Sequence, residues 1–191
     1  MTKETRIDTM LWKFCFHFVM LYGERWFVMR HMVLSILVDN SAGVLSRVAG
    51  LFSRRGYNID SLTVGVTNDP AYSRMTVVAS GSEEVLEQIR KQLAKLVDVR
   101  EIVELPEGAS VQRELILVQV EANMEQRQAV IAIADIYRAK IVDVSTNSIM
   151  LELTGSQDKI KAFLELMEGF KITELARTGV TGLARGAASL K

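Results

Sequence analysis

The chain has 191 residues, enough for one large domain or two small ones, and 49% of them are hydrophobic, which excludes intrinsic disorder. Basic and acidic residues balance at 23 each and no segment is a block of one sign, so the basic face of a nucleic-acid binder is not expected. The lone cysteine, Cys15, cannot close an intrachain disulfide and fits a reducing cytoplasm, and His17 and His31 have no cluster of Cys or carboxylate residues beside them to make a metal site.

In chain order, residues 1–29 read as an N-terminal extension. Within it Met10–Tyr22 (MLWKFCFHFVMLY) is aromatic and apolar but is interrupted by Lys13 and His17. It is too short for a bilayer, which needs about 20 apolar residues, so no membrane association is expected. Glu4 and Asp8 stand where a signal peptide is basic, and no small-x-small cleavage site follows. The run is expected to form a short amphipathic helix; an extension without function, ahead of a domain starting at Met29, is the alternative.

Met32–Val38 (MVLSILV) is a nearly continuous apolar run, the mark of a buried central strand. Asp39–Gly43 is turn chemistry. Val44, Leu45, Val48, Leu51 and Phe52 then recur at helical spacing, and Gly56 stops the helix. Leu62, Val64 and Val66 alternate as a half-buried strand, Asn68–Pro70 turns the chain, and Met75, Val77 and Ala79 alternate on the way back. Ser82 caps a second helix with Glu83 and Glu84 at its positive end. Its core face is Val85 or Leu86, then Ile89, Leu93 and Leu96, and a fourth strand covers Val99–Leu105. The order strand, helix, strand, strand, helix, strand is that of a ferredoxin-like βαββαβ domain, at residues 30–105.

Residues 106–113, opened by Pro106 and Gly108, read as a linker. The order then repeats over 114–186: a strand at Leu115–Val120, a helix marked by Val130, Ile133, Ala134 and Tyr137, and strands at Lys140–Val144 and Ser148–Leu153. Next come a Ser156-capped helix with Ile160, Phe163, Leu164 and Met167 inside, and a last strand at Lys171–Ala176. The expected fold is α+β, two tandem ferredoxin-like domains. The glycine-rich stretch Gly179–Gly186 is expected to fray or to pack on a partner, and residues 187–191 are a tail.

No nucleophile elbow, P-loop, zinc spacing or dinucleotide fingerprint is present, so no catalytic residue and no metal site is expected. The remaining candidate is the loop DNSAGVLSRV. Gly43 lets a ligand approach the backbone, the first amides of the following helix can donate to a carboxylate, and the Asn40 amide can accept from an ammonium. Asn58, just past the helix-ending Gly56, is a second candidate. Both asparagines and Gly43 can equally be plain turn and helix-start residues.

The run DNSAGVLSRVAGLFSRRGYNIDSLTVG, with NDPAYSRMT and LEQIRKQLAKLVDV behind it and ARTGVTGLARG near the end, resembles the small regulatory subunits of acetolactate synthase (acetohydroxyacid synthase). The resemblance covers residues 30–186 and leaves 1–29 outside. It implies that the first domain is an ACT domain, and that two chains pair through it as a homodimer holding valine or a related branched-chain amino acid at the interface. The family's effector positions fall on Asn40, Gly43 and Asn58, with Ala42, Val44 and Ile59 as neighbours. The resemblance also implies a separate large catalytic subunit, which uses thiamine diphosphate, Mg and FAD, while the chain itself carries no cofactor. A free-standing ACT sensor controlling a different biosynthetic enzyme is the alternative.

Overall fold

The computed structural model describes residues 30–186; the amphipathic helix expected within residues 1–29 and the tail at 187–191 lie outside the described residues. The first half contains β1 (Arg30–Asp39), α1 (Val44–Arg55), β2 (Ser61–Val66), β3 (Tyr72–Gly81), α2 (Glu83–Leu93) and β4 (Val99–Glu104). The second contains β5 (Ser110–Glu121), α3 (Met124–Tyr137), β6 (Lys140–Val144), β7 (Ser148–Gly155), α4 (Gln157–Met167), β8 (Lys171–Arg177) and β9 (Thr181–Ala184). The sheets are antiparallel, in the order β2-β3-β1-β4 and β6-β7-β5-β8. These are the expected α+β ferredoxin-like layouts, each with two helices on one face. No described helix is long and apolar enough to cross a membrane.

Each half buries its own core. On sheet one Met32, Leu34, Ile36 and Val38 of β1 meet Met75, Val77 and Ala79 of β3, beneath Val48 and Phe52 of α1 and Leu86, Ile89 and Leu93 of α2. Of the two residues expected to start the α2 face, Leu86 is buried and Val85 only half-buried. On sheet two Ile116, Val118 and Val120 pack with Leu151 and Leu153 under Val130, Ile160 and Phe163. A fully buried aliphatic side chain contributes roughly 1.5–3 kcal/mol, so these rows hold each half together. Ser82 caps α2 by accepting from the Val85 amide, Asn123 and Gln126 form a capping box on α3, and Ser156 caps α4.

Two expectations fail. Residues 110–113, read as linker, are the first part of β5, and the stretch expected to fray or to pack on a partner contains β9, paired within the chain from Ser110↔Ala184 to Arg113↔Thr181. This two-stranded ribbon crosses the helix-free face of sheet one. At the β2 side the Val180 amide donates to Ser61 Oγ (2.9 Å) and Thr63 Oγ1 donates to the Val180 carbonyl (3.0 Å). At the β4 end Gln112 Nε2 donates to the Leu105 carbonyl at 2.8 Å. Leu105, Val180, Ser35, Thr76 and Val78 are all buried as a result. Gly179 makes the approach possible: its φ is +83°, and a Cβ there would lie 2.3 Å from Ser61 Oγ. Beside the ribbon, Arg177 grips the buried Glu114 through Nε and Nη2 at 2.7 and 2.8 Å. That hydrogen bond raises the pKa of the exposed guanidinium and leaves the buried Glu114 carboxylate paired.

Candidate functional site

The β1–α1 loop is pinned from both sides. Asp39 takes Arg100 Nε and Nη2 at 2.7 and 2.6 Å, and its amide donates to the Asp98 carbonyl at 2.9 Å. Asp98 in turn holds Arg47 through Nε and Nη2 at 2.6 and 2.8 Å. The Arg47 hydrogen bond, opposed by desolvation and helped by the guanidinium charge, holds the Asp98 carboxyl below its ordinary value. Two forked ion pairs thus fix where α1 begins relative to β4.

That beginning differs from the other helix starts. Gly43 sits at the N-cap in the left-handed region (φ +85°), and no side chain caps the helix. The Val44 amide makes only a long 3.4 Å contact to the Ser41 carbonyl, and no loop carbonyl among the described residues reaches the amides of Leu45 and Ser46. Helix-start amides left open in this way favour a bound carboxylate. The remaining arm of Arg47, Nη1, lies 3.1 Å from where a Cβ on Gly43 would sit. A side chain at 43 therefore meets both backbone strain and a guanidinium.

The other expected site residues have more varied surroundings. Ala42 is exposed beside Gly43, whereas Val44 points into the core, leaving only its backbone to a ligand. Asn40 is committed within the chain: Nδ2 donates to the Pro70 carbonyl (2.9 Å) and Oδ1 accepts from Ser73 Oγ (3.0 Å). It braces the loop against β3, with one Oδ1 lone pair left over. Asn58 is exposed and donates from Nδ2 to Asp60 Oδ1 at 2.6 Å, while Ile59 is half-buried against the first core.

Within one chain these residues form two groups. Asn40, Ala42 and Gly43 precede α1 and Asn58 follows it, and twelve helical residues at 1.5 Å per residue separate the ends by about 18 Å. One amino acid cannot bridge that distance. A two-fold axis running α1 against its own copy would bring the Gly43 end of one protomer to the Asn58 end of the other. The neighbouring surface suits such pairing. β2 is an edge strand, and Val64 (46%), Val66 (61%) and Leu45 (44%) are exposed beside it. Sequence alternation predicts these valines half-buried; they do face the helix side, but α1 does not reach over them.

A cleft of about 480 Å³ opens between the halves, lined by His31, Asp60 and Ser61 on one side and Glu114, Arg177 and Thr178 on the other. At its mouth Ser80 Oγ donates to Asp60 and lies 2.8 Å from His31 Nδ1. The hydroxyl proton thus goes to a carboxylate that also takes Asn58 Nδ2, so Ser80, His31, Asp60 and Asn58 form one hydrogen-bond cluster. Among the described residues no group of three His, Cys, Asp or Glu could hold a metal ion.

Comparison with known proteins agrees with this layout. Residues 34–101 match the AHAS small subunit-like ACT domain, and residues 113–186 match the family described as small subunit of acetolactate synthase. The chain is 52% identical over 155 residues to the acetolactate synthase isozyme 3 small subunit of Salmonella typhimurium, covering 81% of this chain and 95% of that one. It is 49% identical over 153 residues to the acetolactate synthase small subunit of Mycolicibacterium smegmatis, covering 80% and 90%. The crystal structure of the acetolactate synthase small subunit from Thermotoga maritima superposes with a TM-score of 0.76 at 37% identity, covering 83% of this chain and 99% of that chain.

Proposed function

Because the chain belongs to the family of acetolactate synthase small subunits, a family of regulatory and non-catalytic chains, we propose that it is the effector-sensing partner of a large catalytic subunit. In this reading two copies pair as a homodimer through their ACT domains in the cytoplasm and hold valine or another branched-chain amino acid between them. Occupancy sets how the pair engages the thiamine diphosphate-dependent catalytic subunit, which also carries Mg and FAD, activating it and imposing feedback inhibition.

The observation carrying this reading is the split site: an open helix start at Gly43 and the Asn58 amide about 18 Å away at the far end of the same helix. The effector carboxylate meets the first amides of α1 and Nη1 of Arg47, while Asn58 of the facing protomer takes the other polar end. Charge-assisted hydrogen bonds contribute roughly 1.5–3 kcal/mol each, and burying the aliphatic side chain against Leu45 and the valines of β2 adds a comparable amount. A coupling of about 1–3 kcal/mol between occupancy and pairing is enough for control. One methylene changes binding by only about 1–3 kcal/mol, so valine, leucine and isoleucine compete within a narrow range.

Titrating the purified protein with branched-chain amino acids, with heat and self-association followed together, tests this reading. Saturable heat accompanied by a tighter dimer is expected. Valine, leucine and isoleucine that at millimolar concentration give neither heat nor a shift in association refute it.

A further inference from the structure

Asn58 is one end of the split site, and its surroundings decide which of its amide atoms a ligand meets. Nδ2 donates to Asp60 Oδ1 at 2.6 Å, and no donor among the described residues reaches the Asn58 Oδ1. A carboxylate oxygen only accepts, so the amide must turn its nitrogen toward Asp60. Asp60 is itself held from the sheet. Its backbone amide donates to the Val78 carbonyl on β3 at 2.9 Å, and its Oδ2 accepts from Ser80 Oγ. Ser80 has one hydroxyl proton, and with that proton on Asp60 its oxygen accepts from His31 Nδ1, 2.8 Å away. His31 and Ser80 are direct partners across β1 and β3, so this series of bonds starts on the two central strands and ends at Asn58. His31 is also the one cationic partner of Asp60 among the described residues, 3.5 Å from Oδ2. A neutral and a protonated ring can both supply the Nδ1 hydrogen, so the orientation of Asn58 does not depend on the charge of His31.

We infer that Asp60 is a positioning residue for effector recognition: it turns the Asn58 amide so that Oδ1 is the acceptor offered to the ammonium group of the bound amino acid. This role rests on the split-site reading and adds the residue that sets the polarity of its Asn58 end. Two effects act in the same direction. The bond to a carboxylate polarises the amide and makes Oδ1 a stronger acceptor. The Asp60 charge also repels a ligand carboxylate from the second N–H of Asn58, leaving that end of the ligand to the open amides of α1 in the facing protomer. A 2-oxo acid of the same carbon skeleton has a carbonyl oxygen in place of the ammonium. Oδ1 then faces another acceptor, so the site selects the amino acid over its oxo acid.

Calorimetric titration of the full chain with valine tests this, using Asp60→Ala, Asn58→Ala, their double variant and the exchange Asn58→Asp/Asp60→Asn. Asp60→Ala should weaken valine binding by at least about threefold, and the double variant should bind no more weakly than Asn58→Ala, because Asp60 acts through the amide. The exchange reverses donor and acceptor. The new amide at position 60 donates to the new carboxylate at 58 and still accepts from Ser80, and an acceptor still faces the ammonium. It should bind valine no more than about threefold more weakly than wild type. The oxo acid of valine should bind wild type at least about tenfold more weakly than valine does. A smaller loss in Asp60→Ala overturns the inference, as do losses that add in the double variant or an oxo acid within its margin. So does an exchange variant that is folded by circular dichroism yet binds beyond its threefold margin (about the limit set above), because Asn58 then gives its N–H to a carboxylate. If Asp60→Ala does not fold, the exchange variant decides alone. A wild-type chain that binds no branched-chain amino acid refutes the split site itself, and the role of Asp60 falls with it.

Discussion

Replacing Gly179 by alanine tests how the two halves are joined. The residue has a φ of +83°, and a left-handed conformation costs an L-residue roughly 1–2 kcal/mol. The new methyl would sit 2.3 Å from Ser61 Oγ, so the hydroxyl must turn away. In turning it abandons the Val180 amide, which it accepts at 2.9 Å, and a buried unpaired donor costs about 1–3 kcal/mol. The sum is about 3 kcal/mol, or a fall in Tm of roughly 6–12 °C for a chain of this size. Urea denaturation followed by circular dichroism measures it, with Ser61→Ala and the double variant completing a cycle. Ser61→Ala removes the same acceptor without a clash, so the double variant should cost at least 1 kcal/mol less than the two singles added, by about the energy of the shared bond. A Gly179→Ala protein within about 0.5 kcal/mol of wild type, or strictly additive costs, refutes the account of the ribbon contact.

Gly43→Asp should abolish effector binding, because its carboxylate would occupy the helix start and capture Nη1 of Arg47; undiminished valine affinity by calorimetry would remove this loop from the site. Its cost to folding should stay within about 1–2 kcal/mol, since aspartate tolerates the left-handed region better than most residues. Asn58→Ala should weaken valine binding about tenfold, the equivalent of one hydrogen bond of about 1.4 kcal/mol, with the melting temperature little changed; wild-type affinity would exclude the amide from contact. The Asp98 carboxyl, held below its ordinary value by Arg47, contributes stability that is fully present above that value, about 3.9, and disappears as pH falls through the depressed one. Wild type and Asp98→Asn should therefore differ in urea midpoint above pH 5 and converge at strongly acid pH; a constant gap down to pH 2 would refute the pairing.

How legible the molecule is in its sequence varies by element. The helices and central strands are written locally: Ser82 and Ser156 announce helix starts, and the apolar row of Met32–Val38 announces a central strand whatever it pairs with. The ribbon has no such local mark. Thr181–Ala184 is a short strand with two glycines nearby, and its partner at Ser110–Arg113 follows a Pro-Glu-Gly turn, so each looks irregular until the other is beside it. Pairing between segments so far apart in the chain leaves no periodicity to read. Burial of Ser35 and Thr76 was hidden for the same reason, because what covers them comes from the end of the described chain. At the site, Gly43 is legible since a left-handed helix start requires it. The bracing of Asn40 on Ser73 and Pro70 is not, because turn chemistry and ligand chemistry use the same amide. Arg47 reads as a solvated helix residue, and only the fold brings Asp98 beside it and turns its free arm toward the loop.

The ribbon also bears on how this protein is made. On a translating ribosome, β1 to β4 emerge ahead of the ribbon and can assemble their helices and core well before residues 179–184 exist. During that wait Ser35, Thr76 and Val78 lie on a wetted surface, and the nascent domain offers a half-apolar sheet to chaperones or to a neighbouring nascent chain. A later stretch thus seals what an earlier one built, and a premature stop before Gly179 yields a polypeptide that has folded yet remains unfinished on one side.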